Sequence, residues 1–275
     1  MEGFAILAAS SVAAGFLGAM MGVGGGIVVV PVLAGILDVP IRLAVGASMI
    51  AVVATSCAAS ASFVRDGLAN VRLGLLLALF TAVGSTGGVF AGTLIGDEGL
   101  AAVLAGMIVV AAVMMYLRRK EDPVPQGAGG RMEESLRLAG EFTDPAIGGL
   151  VRYGTVRVPV SIGLMLGVGF LSGLLGVGGG ALQVPVMVSL MRVPIKAATA
   201  TSSFMMGITA AAGAVAFVAL GDVQPAVAGL VAVGVFLGSL AGARVMPRVQ
   251  DTRLKVIFVV VLAVLAIRTV MQALG

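Results

Sequence analysis

The stretch AMMGVGGGIVVVPVLA, residues 19–34, sets Gly24, Gly25 and Gly26 side by side in an apolar run and follows them with Pro31. The stretch GLLGVGGGALQVPVMV, residues 173–188, does the same with Gly178, Gly179, Gly180 and Pro185. Glycine and proline are the poorest helix formers, so placing both twice in the same order implies a helix break at each site. A constant shift of 154 residues, Gly22 onto Gly176, holds well beyond the motif. Gly15-Phe16-Leu17 falls on Gly169-Phe170-Leu171, Val39-Pro40-Ile41 on Val193-Pro194-Ile195, Arg42 on Lys196, and Ser48 on Ser202. Self-similarity without gaps over such a distance is the signature of a duplication.

The remainder of the chain is equally apolar. Hydrophobic residues make up 59% and charged residues 11% of the sequence, and the mean hydropathy is +1.14. A soluble domain carries about 25% charged residues. Uncharged windows of about 20 apolar residues recur too often for a soluble core, which predicts an all-α polytopic membrane protein whose first partner is the lipid bilayer. The pI near 9.8 reads as basic cytoplasmic loops, not as a nucleic-acid surface. The lone Cys57 excludes an internal disulfide framework and a thiolate metal cluster. A sequence without histidine lacks the commonest metal ligand and has no Ser-His or Cys-His catalysis. No cofactor, no metal and no enzymatic activity is therefore expected. The N-terminal segment lacks the basic region of a signal peptide and belongs to the repeat, so it is expected to be retained.

Long apolar spans run over about residues 43–64, 73–95 and 100–117, with counterparts at about 197–219, 225–243 and 256–273. A glycine-proline unit precedes each trio, at residues 3–37 and 158–191. Its second arm, residues 26–37, would span only ~18 Å as a helix, against a hydrocarbon core of ~30 Å. The unit is either a re-entrant hairpin or a pair of short, strained crossings. Both give each half an odd number of crossings, so the second copy is expected to be inverted. The predicted organisation is a first membrane repeat at 1–117, a cytoplasmic linker at 118–156 and an inverted second repeat at 157–275. This arrangement leaves only Arg42 and Arg268 of the 17 basic residues on the face opposite the linker. The positive-inside bias then puts both termini outside. Within the linker, RRKEDPVPQGAGG reads as a polar connector, RMEESLRLAGEF as a short surface helix, and DPAIGGLVRYGTVRVP as a hairpin around its Gly-Gly turn.

A broken helix in a membrane is tolerated only where protein or a water-lined cavity satisfies its backbone groups. A triple glycine opening a short helix presents N–H groups at a positive helix end with no side chain in the way, which suits an anion. With one copy inverted, the two breaks could enclose a single site near the midplane, a layout that recurs in secondary transporters. The competing reading is close packing, because Gly22/Gly26 and Gly176/Gly180 also have small-xxx-small spacing. A nucleotide fingerprint at GVGGGA lacks the strand-to-helix context and acidic residue it needs.

The duplicated GVGGG…VP motifs, the VPI(R/K) after each and the DP…VRY linker resemble the sulfite exporter TauE/SafE family along essentially the whole chain. The resemblance implies a bacterial or archaeal inner-membrane permease for sulfur-containing anions such as sulfite, thiosulfate, sulfoacetate or related organosulfonates. It leaves the particular anion open.

The candidate site comprises Gly24, Gly25, Gly26, Gly178, Gly179 and Gly180 with Gln183, Ser48, Thr201, Ser202 and Ser203. Hydroxyls in such helices often bond back to their own backbone, but an amide inside a membrane needs a partner. Val29 stands opposite Gln183, so the site is not symmetric. Arg42 and Lys196 match across the repeat and are expected at opposite mouths, either attracting an anion or anchoring the interface. The expected function is a secondary transporter, acting as an exporter, that binds its anion between the breaks and works by alternating access. A passive anion channel and a membrane-embedded enzyme are the alternatives. Because no span holds a central Asp or Glu, the coupling mechanism stays open.

Overall fold

Fixed φ at proline and an undemanding glycine backbone set the element boundaries in both halves. The computed structural model describes residues 2–35, 39–117, 125, 131–146 and 148–274. The first half consists of α1 (Glu2–Met21), α2 (Gly26–Gly35), α3 (Ile41–Arg65), α4 (Val71–Gly92) and α5 (Asp97–Leu117). After the linker come α7 (Val158–Leu175), α8 (Gly180–Ser189), α9 (Ile195–Leu220), α10 (Pro225–Val245) and α11 (Asp251–Leu274). The same proline precedes the helix that follows each glycine unit, with Pro40 at φ −49° before α3 and Pro194 at φ −53° before α9. Among the described residues, α3, α4, α7, α9 and α10 are long and apolar enough to cross a membrane. Helices α2 and α8 have ten residues each, or ~15 Å of rise, too short for a crossing. Pro31 and Pro185 sit inside them and remove one helical hydrogen bond from each.

The two halves interlock by exchanging equivalent contacts. Helix α1 packs on α10, and α7 packs on α4. Gly238 abuts the carbonyl of Val12 and Gly84 that of Leu166; Gly242 abuts that of Phe16 and Gly88 that of Phe170. Each pair of contacts is related by the 154-residue shift. A Cβ at any of these glycines would overlap a backbone oxygen, so glycine sets the helix-to-helix distance, as it does in tightly packed membrane helices. Side chains that are more than half exposed include Leu79, Val83, Val215, Val233 and Val264. Apolar groups on the outside and serine and threonine on the inside reverse the soluble pattern, as a lipid-facing surface requires.

The linker is more structured than a tether. Helix α6 (Arg131–Leu136) is shorter than the predicted surface helix, and strands β1 (Gly140–Asp144) and β2 (Gly149–Tyr153) form an antiparallel hairpin. The first strand, GEFTD, lies mostly before the DPAIGGLVRYGTVRVP segment read as the hairpin. The cause is the register, which pairs Gly140 with Tyr153 and lets buried Phe142 and Tyr153 meet edge to face at 6.3 Å. Gly148, at φ +65°, takes the left-handed turn position that favours glycine. Residues 118–124 and 126–130 of the predicted connector, residues 36–38 of the predicted second arm, and the side chain of Arg268 lie outside the described residues.

Candidate functional site

Each break is built by glycine geometry that other residues adopt only with strain. Gly22 (φ +66°) and Gly24 (φ +75°) end α1, and Gly176 (φ +68°), Gly178 (φ +72°) and Gly179 (φ +79°) end α7 and open α8. Some of their amides are already used. The Val23 and Gly24 N–H groups return to the Gly18 carbonyl at 3.0 and 3.3 Å, and Gly176 N–H returns to Ser172 at 2.9 Å. These bonds are helix C-caps, so Gly24 is not the free donor that a triple-glycine anion cradle predicts. The groups without an intrahelical partner are the amides at the starts of α2 and α8.

The two breaks touch. A Cβ on Gly180 would strike the Gly22 carbonyl, and one on Gly26 would lie 3.1 Å from the Gly176 carbonyl. Ser48 Oγ donates to the Gly176 carbonyl at 2.6 Å, and Ser202 Oγ donates to the Gly22 carbonyl at 2.7 Å. Val52 closes against Gly24, Gly26 and Gly178, while Met206 closes against Gly24 and Gly180. Val52 and Met206 are themselves equivalent under the shift. Two serines and two apolar caps thus hold the breaks face to face.

The remaining predicted residues divide. Gln183 is fully buried beside the second break, with Oε1 3.0 Å from Ser202 Oγ. Gly25 faces Val235 and Thr55. Thr201 accepts the Asn70 backbone N–H at 2.9 Å, and Ser203 donates to its own helix at Thr199, so neither reaches the breaks. Arg42 is half-buried at one end of the bundle, where it donates to the Ile95 carbonyl at 3.2 Å and lines a small hollow with Thr93, Leu174 and Asp222.

Lys196, expected at a mouth as an anion attractor or an interface anchor, is instead held inside the protein. It is fully buried, with Nζ 2.5 Å from Asp144 of the hairpin and 3.6 Å from Asp251. A buried ammonium must be paired, and the linker supplies the pair. A further contact holds the linker against the bundle, and another closes it on itself. Asn70 Nδ2 donates to the Leu138 carbonyl at 2.8 Å, and Glu133 accepts the Thr155 N–H at 2.8 Å. Burial pushes the Tyr153 hydroxyl up to about 12, although a hydrogen bond with Asn70 opposes the shift.

Sequence reading also missed Ser172, whose hydroxyl is buried without a hydrogen-bond partner. The repeat offered a signal for it, because Ser172 stands opposite Gly18 as Gln183 stands opposite Val29. Nothing local could have identified Asp144 as the partner of Lys196. Among the described residues, no group of three or more Asp, Glu, Cys or His side chains is placed to hold a metal ion.

Comparison with known proteins agrees with this architecture. The model of the sulfite exporter TauE/SafE family matches residues 7–269. The chain is 26% identical to "Probable membrane transporter protein YunE" of Bacillus subtilis, over 98% of each chain. It is 31% identical to "Probable membrane transporter protein MamO" of Magnetospirillum gryphiswaldense, over 66% of this chain and 31% of that one. It is 22% identical to "Probable membrane transporter protein MJ0441" of Methanocaldococcus jannaschii, over 92% of this chain and 90% of that one. No solved structure gives a significant match. With apolar helices fit to cross a membrane and a family match over nearly its whole length, this integral membrane transporter belongs to the sulfite exporter TauE/SafE family.

Proposed function

We propose that the chain is a secondary transporter of the cell inner membrane that exports a small sulfur-containing anion, sulfite or an organosulfonate, by alternating access. The anion binds near the midplane, where the two glycine breaks meet. The observation that carries this reading is the reciprocal pair of bonds, Ser48 to Gly176 and Ser202 to Gly22. Each half holds the other's break, so the halves can rock about one shared point. The amides that open α2 and α8 supply positive helix ends there.

The two halves are read as inverted repeats, with both termini outside and the linker in the cytoplasm. In that orientation Lys196 and the hairpin close the cytoplasmic end, and Arg42 lies at the outer end. The small-molecule partner in this reading is the anion. The test is a flux screen in proteoliposomes across sulfite, thiosulfate, sulfoacetate, taurine and sulfate. Saturable flux of at least one sulfur oxyanion supports the proposal, and flux of none of them contradicts it.

A further inference from the structure

The two breaks are equivalent in sequence position but not in chemistry. In the second half, a Cβ built on Gly179 would meet Gln183 Nε2 at 3.0 Å and Ser172 Cβ and Oγ at 3.2 and 3.4 Å. All of these are side-chain atoms, and both residues are fully buried. Gln183 Nε2 and Ser172 Oγ have no hydrogen-bond partner. Two buried donors therefore converge, unpaired, on the glycine that opens α8. A buried polar group left without a partner is costly, and in a native site it calls for an explanation.

The equivalent place in the first half is filled. Gly18 replaces Ser172, and a Cβ there would meet the backbone of Gly24 and Gly25 at 2.5 to 2.6 Å. Val29 replaces Gln183. A Cβ built on Gly25 would meet Val235 Cγ1 at 3.1 Å and Thr55 Oγ1 at 3.4 Å, and the Thr55 hydroxyl already donates to the Ala51 carbonyl at 3.0 Å. The first break is thus closed by packing, with no spare side-chain donor.

We propose that Ser172 Oγ, Gln183 Nε2 and the backbone amides that open α8 at Gly179 form a single neutral oxyanion subsite, and that the first break contributes no side-chain donor to the ligand. The inference rests on the transporter reading above and specifies its site. Every group in the subsite can donate a hydrogen bond, and the two basic residues matched across the repeat lie elsewhere, Arg42 at the Ile95 carbonyl and Lys196 at Asp144. Such a site suits a compact –SO3 headgroup that presents only acceptors, held by hydrogen bonds and a helix end without a counter-cation. It disfavours a ligand that turns an ammonium group toward Gly179.

The purified full-length chain separates these claims when titrated calorimetrically with sulfite and with methanesulfonate. Ser172→Ala and Gln183→Leu should each weaken binding of both probes by about tenfold or more, the loss of one charge-assisted hydrogen bond. With Ser172→Ala, thermal stability without ligand should stay level or rise, because it removes an unsatisfied polar group. Thr55→Val, its counterpart control at the first break, should leave affinity unchanged. Affinity within twofold of wild type in both second-break variants overturns the subsite while leaving the transporter reading intact. Tighter binding by Gln183→Leu also overturns it, because the amide oxygen would then be the atom facing Gly179. A wild-type protein that binds neither probe refutes the substrate class itself.

Discussion

The hydroxyl of Ser48 donates to the carbonyl of Gly176 across 2.6 Å, tying a long helix of the first half to the break of the second. Ser202 repeats the bond to Gly22. Neither carbonyl can continue a helix, so each hydroxyl satisfies a backbone acceptor that would otherwise be buried unpaired. Ser48→Ala and Ser202→Ala should therefore each destabilise the protein by about 1–3 kcal/mol, and the double variant by more than either alone. Thermal melting in detergent measures this, and unchanged melting temperatures would show that the breaks do not depend on these bonds.

The helix crossings make a second, position-specific prediction. At Gly88, Gly173 and Gly238 an added Cβ would fall on a carbonyl oxygen of the opposing helix, so alanine at any of them should strongly reduce the folded yield. At Gly167 nothing lies within 4 Å, and Gly167→Ala should be tolerated. Size-exclusion profiles of the four variants decide the point. Equal tolerance at all four positions would contradict the packing described for α4 on α7 and α1 on α10.

Lys196 should respond to substitution as a buried ion-pair member and not as a surface charge. Lys196→Ala leaves Asp144 buried without a cation, and removing one member of a buried pair costs about 3–5 kcal/mol. Because the pair is shielded from solvent, the loss should be the same at low and high salt. Lys196→Met combined with Asp144→Leu should recover much of it. A defect confined to low salt would instead mean that Lys196 faces an open vestibule.

The proposed orientation can be read from labelling in intact cells. In a Cys57→Ser background, Leu94→Cys in the exposed α4–α5 turn should react with an impermeant thiol reagent added outside. Glu141→Cys, on the exposed edge of the hairpin, should react only after permeabilisation. The reverse pattern would place the linker outside and overturn the positive-inside assignment.

Much of this arrangement can be read from the sequence because glycine and proline act locally. The break positions, the starts of α3 and α9 after Pro40 and Pro194, and the meeting of Ser48 and Ser202 with the glycine units follow from the 154-residue shift. The side-chain roles depend on three-dimensional pairing and were less legible. Lys196 matches Arg42 in sequence, yet only Lys196 meets a carboxylate carried by the linker, 52 residues away. Thr201 and Ser203 share the polar segment of Ser202, but successive residues on a helix face in different directions, so only Ser202 reaches a break. The first strand begins upstream of the segment read as the hairpin because Phe142 and Tyr153 are brought together by burial, not by the Gly-Gly turn alone.

Counterflow tests the central claim most directly. Proteoliposomes loaded with unlabelled sulfite are diluted into a trace of radiolabelled sulfite, with no electrical or proton gradient. A carrier whose breaks alternate around one site accumulates label transiently above its equilibrium level, because outward-moving sulfite returns the site to the label. The account predicts that overshoot, and predicts that Gly179→Val abolishes it while leaving the protein inserted. Label that rises only to equilibrium, with no overshoot, would indicate a passive pore and contradict alternating access at the paired glycines.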